Sequence, residues 1–330
     1  MLQYLVILLD AAATSYCHYS THAHTASPIA AETLEAAIRF AMRENLNVQF
    51  VYPAHELPTY VDELVETVDH TKIKPARAPR TDDADVIVIN GWTEWEACSL
   101  RTGVSYVLRT DKQGFFGHAN EVTNRLKELT RLNVVLTDVE TFTDADFRHY
   151  ADALDTLADE IVNLCATGRM PQVNVLTDRL FLDKMNNCGA GLTQLTLAPD
   201  GKFYLCPAFY GSADSSDGMA DKKNWQADSF DAGRLATGPQ VKNAQLYRLD
   251  HAPLCRRCDA WQCRRCVWLN LRTTFEVNTP SHEQCVVAHT EREASRRLLE
   301  KIRQAGISLP GTKEIKEITY SDPFDIREKW

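Results

Sequence analysis

Residues 255–266 read Cys255-Arg256-Arg257-Cys258-Asp259-Ala260-Trp261-Gln262-Cys263-Arg264-Arg265-Cys266. Two residues between thiolates let the backbone curl until both sulfurs reach one centre. Two such pairs separated by only four residues are too dense for a single tetrahedral ion. Outward from this run lie Cys188 and Cys206 upstream and Cys285 downstream, which makes seven cysteines between 188 and 285. Seven exceeds the four that one Cys₄ site uses, so two sites taking four and three fit the count better. Zinc and iron–sulfur clusters both accept Cys₄, and the spacing leaves both open, with iron–sulfur preferred. Arg256, Arg257, Arg264 and Arg265 interleave with the thiolates, where cationic groups would offset the negative charge of a thiolate-bound centre.

The rest of the composition agrees with a metal reading of these residues. The chain has 330 residues, 44% hydrophobic and 25% charged, as an ordinary globular protein does. Its net charge of −9 argues against nucleic acid as a main partner. No apolar run is long enough for a membrane span. Leu2–Leu9 stops at Asp10, has no basic flank, and reads as a first strand. A cytoplasmic location is the default expectation, and in that compartment cysteines serve metals or redox chemistry more often than disulfides.

Residues 1–180 alternate short β-branched apolar runs with helical periodicity. Strands are expected at Gln3–Leu9, Val48–Tyr52, Thr71–Lys74, Val86–Asn90, Ser105–Arg109, Asn133–Leu136 and Val173–Leu176. Helices are expected at Ala30–Glu44, Thr59–Val68, Glu121–Leu132 and Thr143–Ala166. This rhythm predicts βαβ units and a parallel sheet, in a partial barrel or an open form. From Cys188 to Val287 the periodicity fades. Gly211–Ser216 and Asp217–Gly238 read as exposed loop. So weak a core needs a staple, and a metal on cysteines supplies one. A last helix is expected from about Thr290 to Ala305, followed by a polar surface tail. Asp10, Asn90, Asp138, Glu140 and Asp178 fall at strand C-terminal ends, where catalytic groups of β/α folds gather, although helix capping explains each of them equally well. Cys98 and Cys165 read as small hydrophobes.

The cysteine pattern resembles the SPASM domain of peptide-modifying radical SAM enzymes. In that signature a cysteine precedes Gly by nine to fifteen residues, four residues lead to a second cysteine, and a four-cysteine run and a final cysteine follow. Cys188, Gly201, Cys206, the 255–266 run and Cys285 fill these places. The run is tighter than the family's two, five and three residues, with two, four and two. The resemblance implies a second cluster on Cys255, Cys258, Cys263 and Cys285. It leaves Cys188, Cys206 and Cys266 for a first cluster with one open iron position. It also implies a division into a partial (β/α)6 radical SAM-like barrel at 1–180, a SPASM-like domain at 181–290, and a helix and tail at 291–330.

A radical SAM barrel carries C-x₃-C-x₂-C after its first strand. Here the matching loop keeps Cys17 but has Thr21 and His24 in the other two places. The radical-generating cluster is therefore not expected, and S-adenosylmethionine with it. Cys17, His18, His22 and His24 are instead four potential zinc ligands within eight residues, or simply solvated histidines. The opening LDAAATSYCHY, the altered loop and the full downstream cysteine set resemble the CXXX repeat peptide maturases. That resemblance implies an accessory protein carrying one or two 4Fe-4S clusters, which binds a cysteine-rich precursor peptide beside a radical SAM partner enzyme. A stand-alone peptide-modifying metalloenzyme and a zinc-stabilised, non-catalytic peptide-binding module are the alternatives, so whether the chain is itself an enzyme stays open.

Overall fold

The computed structural model describes residues 2–19, 24–212 and 231–318. Along the chain run β1 (Tyr4–Leu8), α1 (Ala31–Arg43), β2 (Asn47–Val51), α2 (Thr59–Val65), β3 (His70–Pro75) and β4 (Val86–Asn90). Next come α3 (Trp92–Ala97), β5 (Ser105–Thr110), α4 (Lys112–Gly117), α5 (Ala119–Arg125), β6 (Arg131–Leu136), α6 (Asp144–Ala166), β7 (Gln172–Val173) and α7 (Asp178–Phe181). The chain continues with β8 (Gln194–Leu197), β9 (Lys202–Tyr204), α8 (Pro207–Gly211), β10 (Asp231–Arg234), β11 (Gly238–Pro239), α9 (Val267–Thr274) and α10 (His282–Gln304).

Two compact units divide these elements, Met1–Ile89 with Gly189–Ala252, and Asn90–Cys188 with Pro253–Trp330. In the first unit the strand order is β11-β10-β9-β8-β1-β2-β3-β4. β1 pairs in parallel with β2 and β8, and β3 pairs in parallel with β2 and β4. β8 through β11 form an antiparallel meander. Leu5, Val6 and Ile7 are fully buried in consecutive positions, as a parallel strand covered on both faces requires. α1 buries Leu34, Ala37, Ile38, Phe40 and Ala41 along one stripe.

In the second unit β5, β6 and β7 pair in parallel. α6 packs against α10, α5 and α4 and buries Tyr150, Leu154, Leu157, Ile161 and Leu164. Its first turn carries a reciprocal capping box between Thr143 and Asp146. Asp146 also binds Lys112 at 2.8 Å. Hydrogen bonds from Lys112 and then Thr143 hold its carboxyl down at about 2. Thr143→Ala is expected to cost about 1 kcal/mol. It should lower the denaturant midpoint and leave the slope unchanged.

The strand expected at Val173–Leu176 is limited to Gln172–Val173, with residues 174–177 in a turn. Further expectations also need correction. The helix at Glu121–Leu132 ends at Arg125, and after one 3₁₀ turn Arg131 already begins β6. The last helix starts at His282, one turn before Cys285, because Ser281 accepts the Gln284 N–H as its cap. The tail is not wholly superficial, since Ile315 is buried and the Lys313 N–H binds the Leu180 carbonyl. Of the loop expected at Gly211–Gly238, residues 213–230 lie outside the described ones, and Asp231–Arg234 is strand. No helix among the described residues is long and apolar enough to cross a membrane.

Candidate metal centre

The second unit holds Cys188, Cys255, Cys258, Cys263, Cys266 and Cys285, whereas Cys206 belongs to the first unit, where it immediately precedes α8. Cys255 opens a 3₁₀ turn that runs to Arg257, and Cys266 caps α9. Cys285 lies in the first turns of α10. Two backbone hydrogen bonds tie the 255–266 loop to residues 186–188: Asn186 N–H to Trp261 O at 2.8 Å and Cys188 N–H to Arg264 O at 2.7 Å.

Cys255, Cys258 and Cys263 lie within electrostatic reach of one another. Burial pushes the Cys263 thiol up to about 12 and the Cys255 thiol up to about 11. Burial also raises Cys258, against the Ala260 amide and the charges of Arg292 and Arg179. Backbone donors are aimed at three sulfurs. Ala260 N–H reaches Cys258 Sγ at 3.4 Å, Arg265 N–H reaches Cys263 Sγ at 3.5 Å, and Leu269 N–H reaches Cys266 Sγ at 3.4 Å. Such amides stabilise bound thiolates, and a metal or cluster would overcome the cost of ionising buried thiols. The donor set therefore fits a thiolate-bound iron–sulfur group. Among the described residues, no three His, Cys, Asp or Glu side chains are grouped so as to hold a single metal ion.

Of the four interleaved arginines only Arg265 is buried, at 1% exposure; Arg256, Arg257 and Arg264 face solvent. Arg265 takes a left-handed backbone conformation, φ 44°. Asn187 Oδ1 holds its guanidinium at 2.7 Å and Asn278 Oδ1 at 3.0 Å. Burial lowers its basicity, while Cys255, Cys188 and Cys263 draw it back up, so its charge sits among three of the expected ligands.

Sequence reasoning missed a polar layer beneath the loop. Arg292, fully buried on α10, grips both carboxylate oxygens of Asp259 at 2.7 and 2.6 Å. Arg179 donates to the Asp259 carbonyl at 2.7 Å and stacks 4.1 Å over the Trp261 ring. Burial alone would raise the Asp259 carboxyl, but Arg292 and then Arg179 hold it below the usual range. Gln262 Nε2 donates to Ala288 O at 2.6 Å and to Glu291 at 3.3 Å, and Tyr150 Oη donates to Glu291 at 2.8 Å.

The strand-end candidates are satisfied within the protein. Asp10 is fully buried and accepts Ala12 N–H at 2.7 Å and Ser27 N–H at 3.3 Å, with His55 Nε2 at 3.3 Å. Asn90 accepts from Arg109. Asp138 accepts the Lys112 N–H at the start of α4. Glu140 lies 3.8 Å from Arg272. Asp178 takes two 2.7 Å bonds from Arg131. In the histidine loop, His24 stacks on Tyr210 with centroids 4.3 Å apart, and its Nε2 lies 2.9 Å from the Tyr210 carbonyl. His22 lies outside the described residues. Cys165 is buried on α6, as expected of a small hydrophobe.

No family model matches the chain, and neither does any curated protein. Solved structures do. Native anSMEcpe with bound AdoMet aligns at a TM-score of 0.56 and 12% identity, covering 91% of this chain and 99% of that one. The fold is similar to that of anSMEcpe. The form with AdoMet and Cp18Cys peptide aligns at 0.57 and 13% over 92% and 100% of the two chains. The form with AdoMet and Kp18Cys peptide aligns at 0.58 and 12% over 91% and 99%. The likeness to anSMEcpe is one of fold, and the α/β class with a mostly parallel sheet is common to both.

Proposed function

We propose that this chain is a radical-SAM-like peptide maturation protein whose cysteines hold auxiliary iron–sulfur clusters. The finer reading is a CXXX repeat peptide maturase that binds a cysteine-rich precursor peptide and assists a radical SAM partner enzyme. The observation that carries it is the set Cys255, Cys258 and Cys263, the first buried and the other two half-buried, supplied with backbone N–H donors and the Arg265 charge. Cys285 completes that set in this reading, and Cys188, Cys206 and Cys266 hold the other cluster. Bound there, iron–sulfur clusters would supply one-electron transfer. The chain's own residues orient the thiolates and donate N–H groups to them. Residues 181–290 are the cluster-bearing segment.

The anSMEcpe structures contain AdoMet, and two contain peptides, which supports peptide as the substrate class. The expectation that S-adenosylmethionine is absent rests on Thr21 and His24 alone, and AdoMet in the neighbours lends it no support. Protein purified without oxygen should contain about four or about eight iron, with matching sulfide, and should absorb near 400 nm as thiolate-ligated clusters do. Iron below about three per chain removes the reading. Colourless protein with stoichiometric zinc selects the binding module instead.

A further inference from the structure

α10 places Cys285, His289 and Arg292 at i, i+4 and i+7, on one face. The 255–266 loop docks on this helix at three points. Asp259 binds Arg292, Gln262 binds the Ala288 carbonyl, and the Cys258 sulfur meets His289 Nε2 at 3.5 Å. The first two bonds bracket the third, so the imidazole is set by its surroundings. His289 is only 6% exposed. A thiolate accepts hydrogen bonds and donates none, so the ring nitrogen facing it must carry the hydrogen. Cys258 then receives two donors, Ala260 N–H at 3.4 Å and His289 Nε2–H.

We propose that His289 is a positioning residue for the cluster on Cys258: its Nε2–H bond to the thiolate raises that cluster's reduction potential. The proposal rests on the reading of Cys258 as a cluster ligand. When the oxidised cluster takes one electron from an external one-electron donor, no bond breaks and no proton moves, and the negative charge on the cluster and its thiolates grows by one. A donor to sulfur stabilises the more negative state more, because charge-assisted hydrogen bonds strengthen with acceptor charge. The charges of Arg292 and Arg179 also reach Cys258 and act in the same sense. The residue is absent from any cysteine pattern, since it enters through the helix.

The experiment compares wild type, His289→Ala and His289→Gln, all purified without oxygen. Iron and sulfide are counted, and each protein is titrated with dithionite while visible absorption is followed. Equal iron is expected in all three. In His289→Ala the reduction equilibrium constant should fall about tenfold, which is about 59 mV for one electron. His289→Gln keeps an N–H donor and should recover most of the difference. Iron present with one common midpoint overturns this inference and leaves the cluster reading intact. Iron lost from both variants makes His289 a ligand and overturns its role as a donor. Wild type without iron overturns the cluster reading, and this inference with it.

Discussion

Asp259→Ala is expected to destabilise the second unit by about 2 kcal/mol, less than removing one partner of a fully buried ion pair costs, because Arg292 is fully buried while the Asp259 side chain is 38% exposed. Arg292 has no solvent exposure, so its charge cannot turn to water when the carboxylate is removed. Glu293 and the Lys316 carbonyl remain beside it and limit the cost. Arg179 loses the 3.7 Å ion pair but keeps its bond to the backbone carbonyl. Asp259→Asn keeps the shape and loses only charge, so it should fall between wild type and alanine. Guanidinium unfolding of the three proteins at matched iron content checks the order. A loss below about 1 kcal/mol for alanine would show that the pair contributes no more than an exposed one. Asp259 adjoins Cys258, so the same variant should also release iron faster to a chelator.

The position of Asp259 shows how far the sequence could be read. The spacing of Cys255 to Cys266 points to a loop in which three sulfurs accept backbone N–H bonds. The strands also read well, because buried parallel strands are short continuous apolar runs. Val86–Asn90 matches β4 residue for residue, and Ser105–Arg109 falls one residue short of β5. The failures lie where one pattern serves two elements. Leu126 and Leu129 continue a helical spacing to Leu132, but Leu132, Val134 and Leu136 are buried alternately in β6. Nothing between Leu129 and Leu132 breaks the helix pattern in the sequence, and pairing with β5 decides it.

The start of α10 was legible and was missed. Ser281 followed by Gln284 at the third position is a capping-box pattern, just after Pro280. Read that way, the helix carries Cys285, His289 and Arg292 on one face. The polar layer would then have been in view. The roles assigned to the arginines erred for a different reason. Interleaving in sequence does not fix which side chain turns inward. The left-handed backbone at Arg265, with its two asparagine partners, selects that one alone.

Glu291 should make the protein less stable as pH rises through the range where carboxylates normally ionise. It is half-buried between α6 and the loop, and desolvation there raises its carboxyl from 4.5 to about 7. The Tyr150 and Gln262 donors pull it down, and Asp178 pushes it up slightly. In the unfolded chain the group loses its proton near pH 4.5, while in the folded protein it keeps it until near pH 7. Stability is therefore greatest below the unfolded value, falls between pH 4.5 and 7, and is flat above. At about 1.4 kcal/mol per unit, the loss across that window is about 3 kcal/mol. Glu291→Gln removes the titration. Its oxygen can still accept from Tyr150, but its amide opposes the Gln262 N–H, which costs about 1 kcal/mol at every pH. The slope is thus the discriminating quantity. Between pH 5 and pH 8 the wild type should lose stability relative to Glu291→Gln, and the two curves should converge or cross toward alkaline pH. Unfolding midpoints that run parallel across that range would mean that the carboxylate stays ionised, held by Tyr150 and Gln262 despite its desolvation.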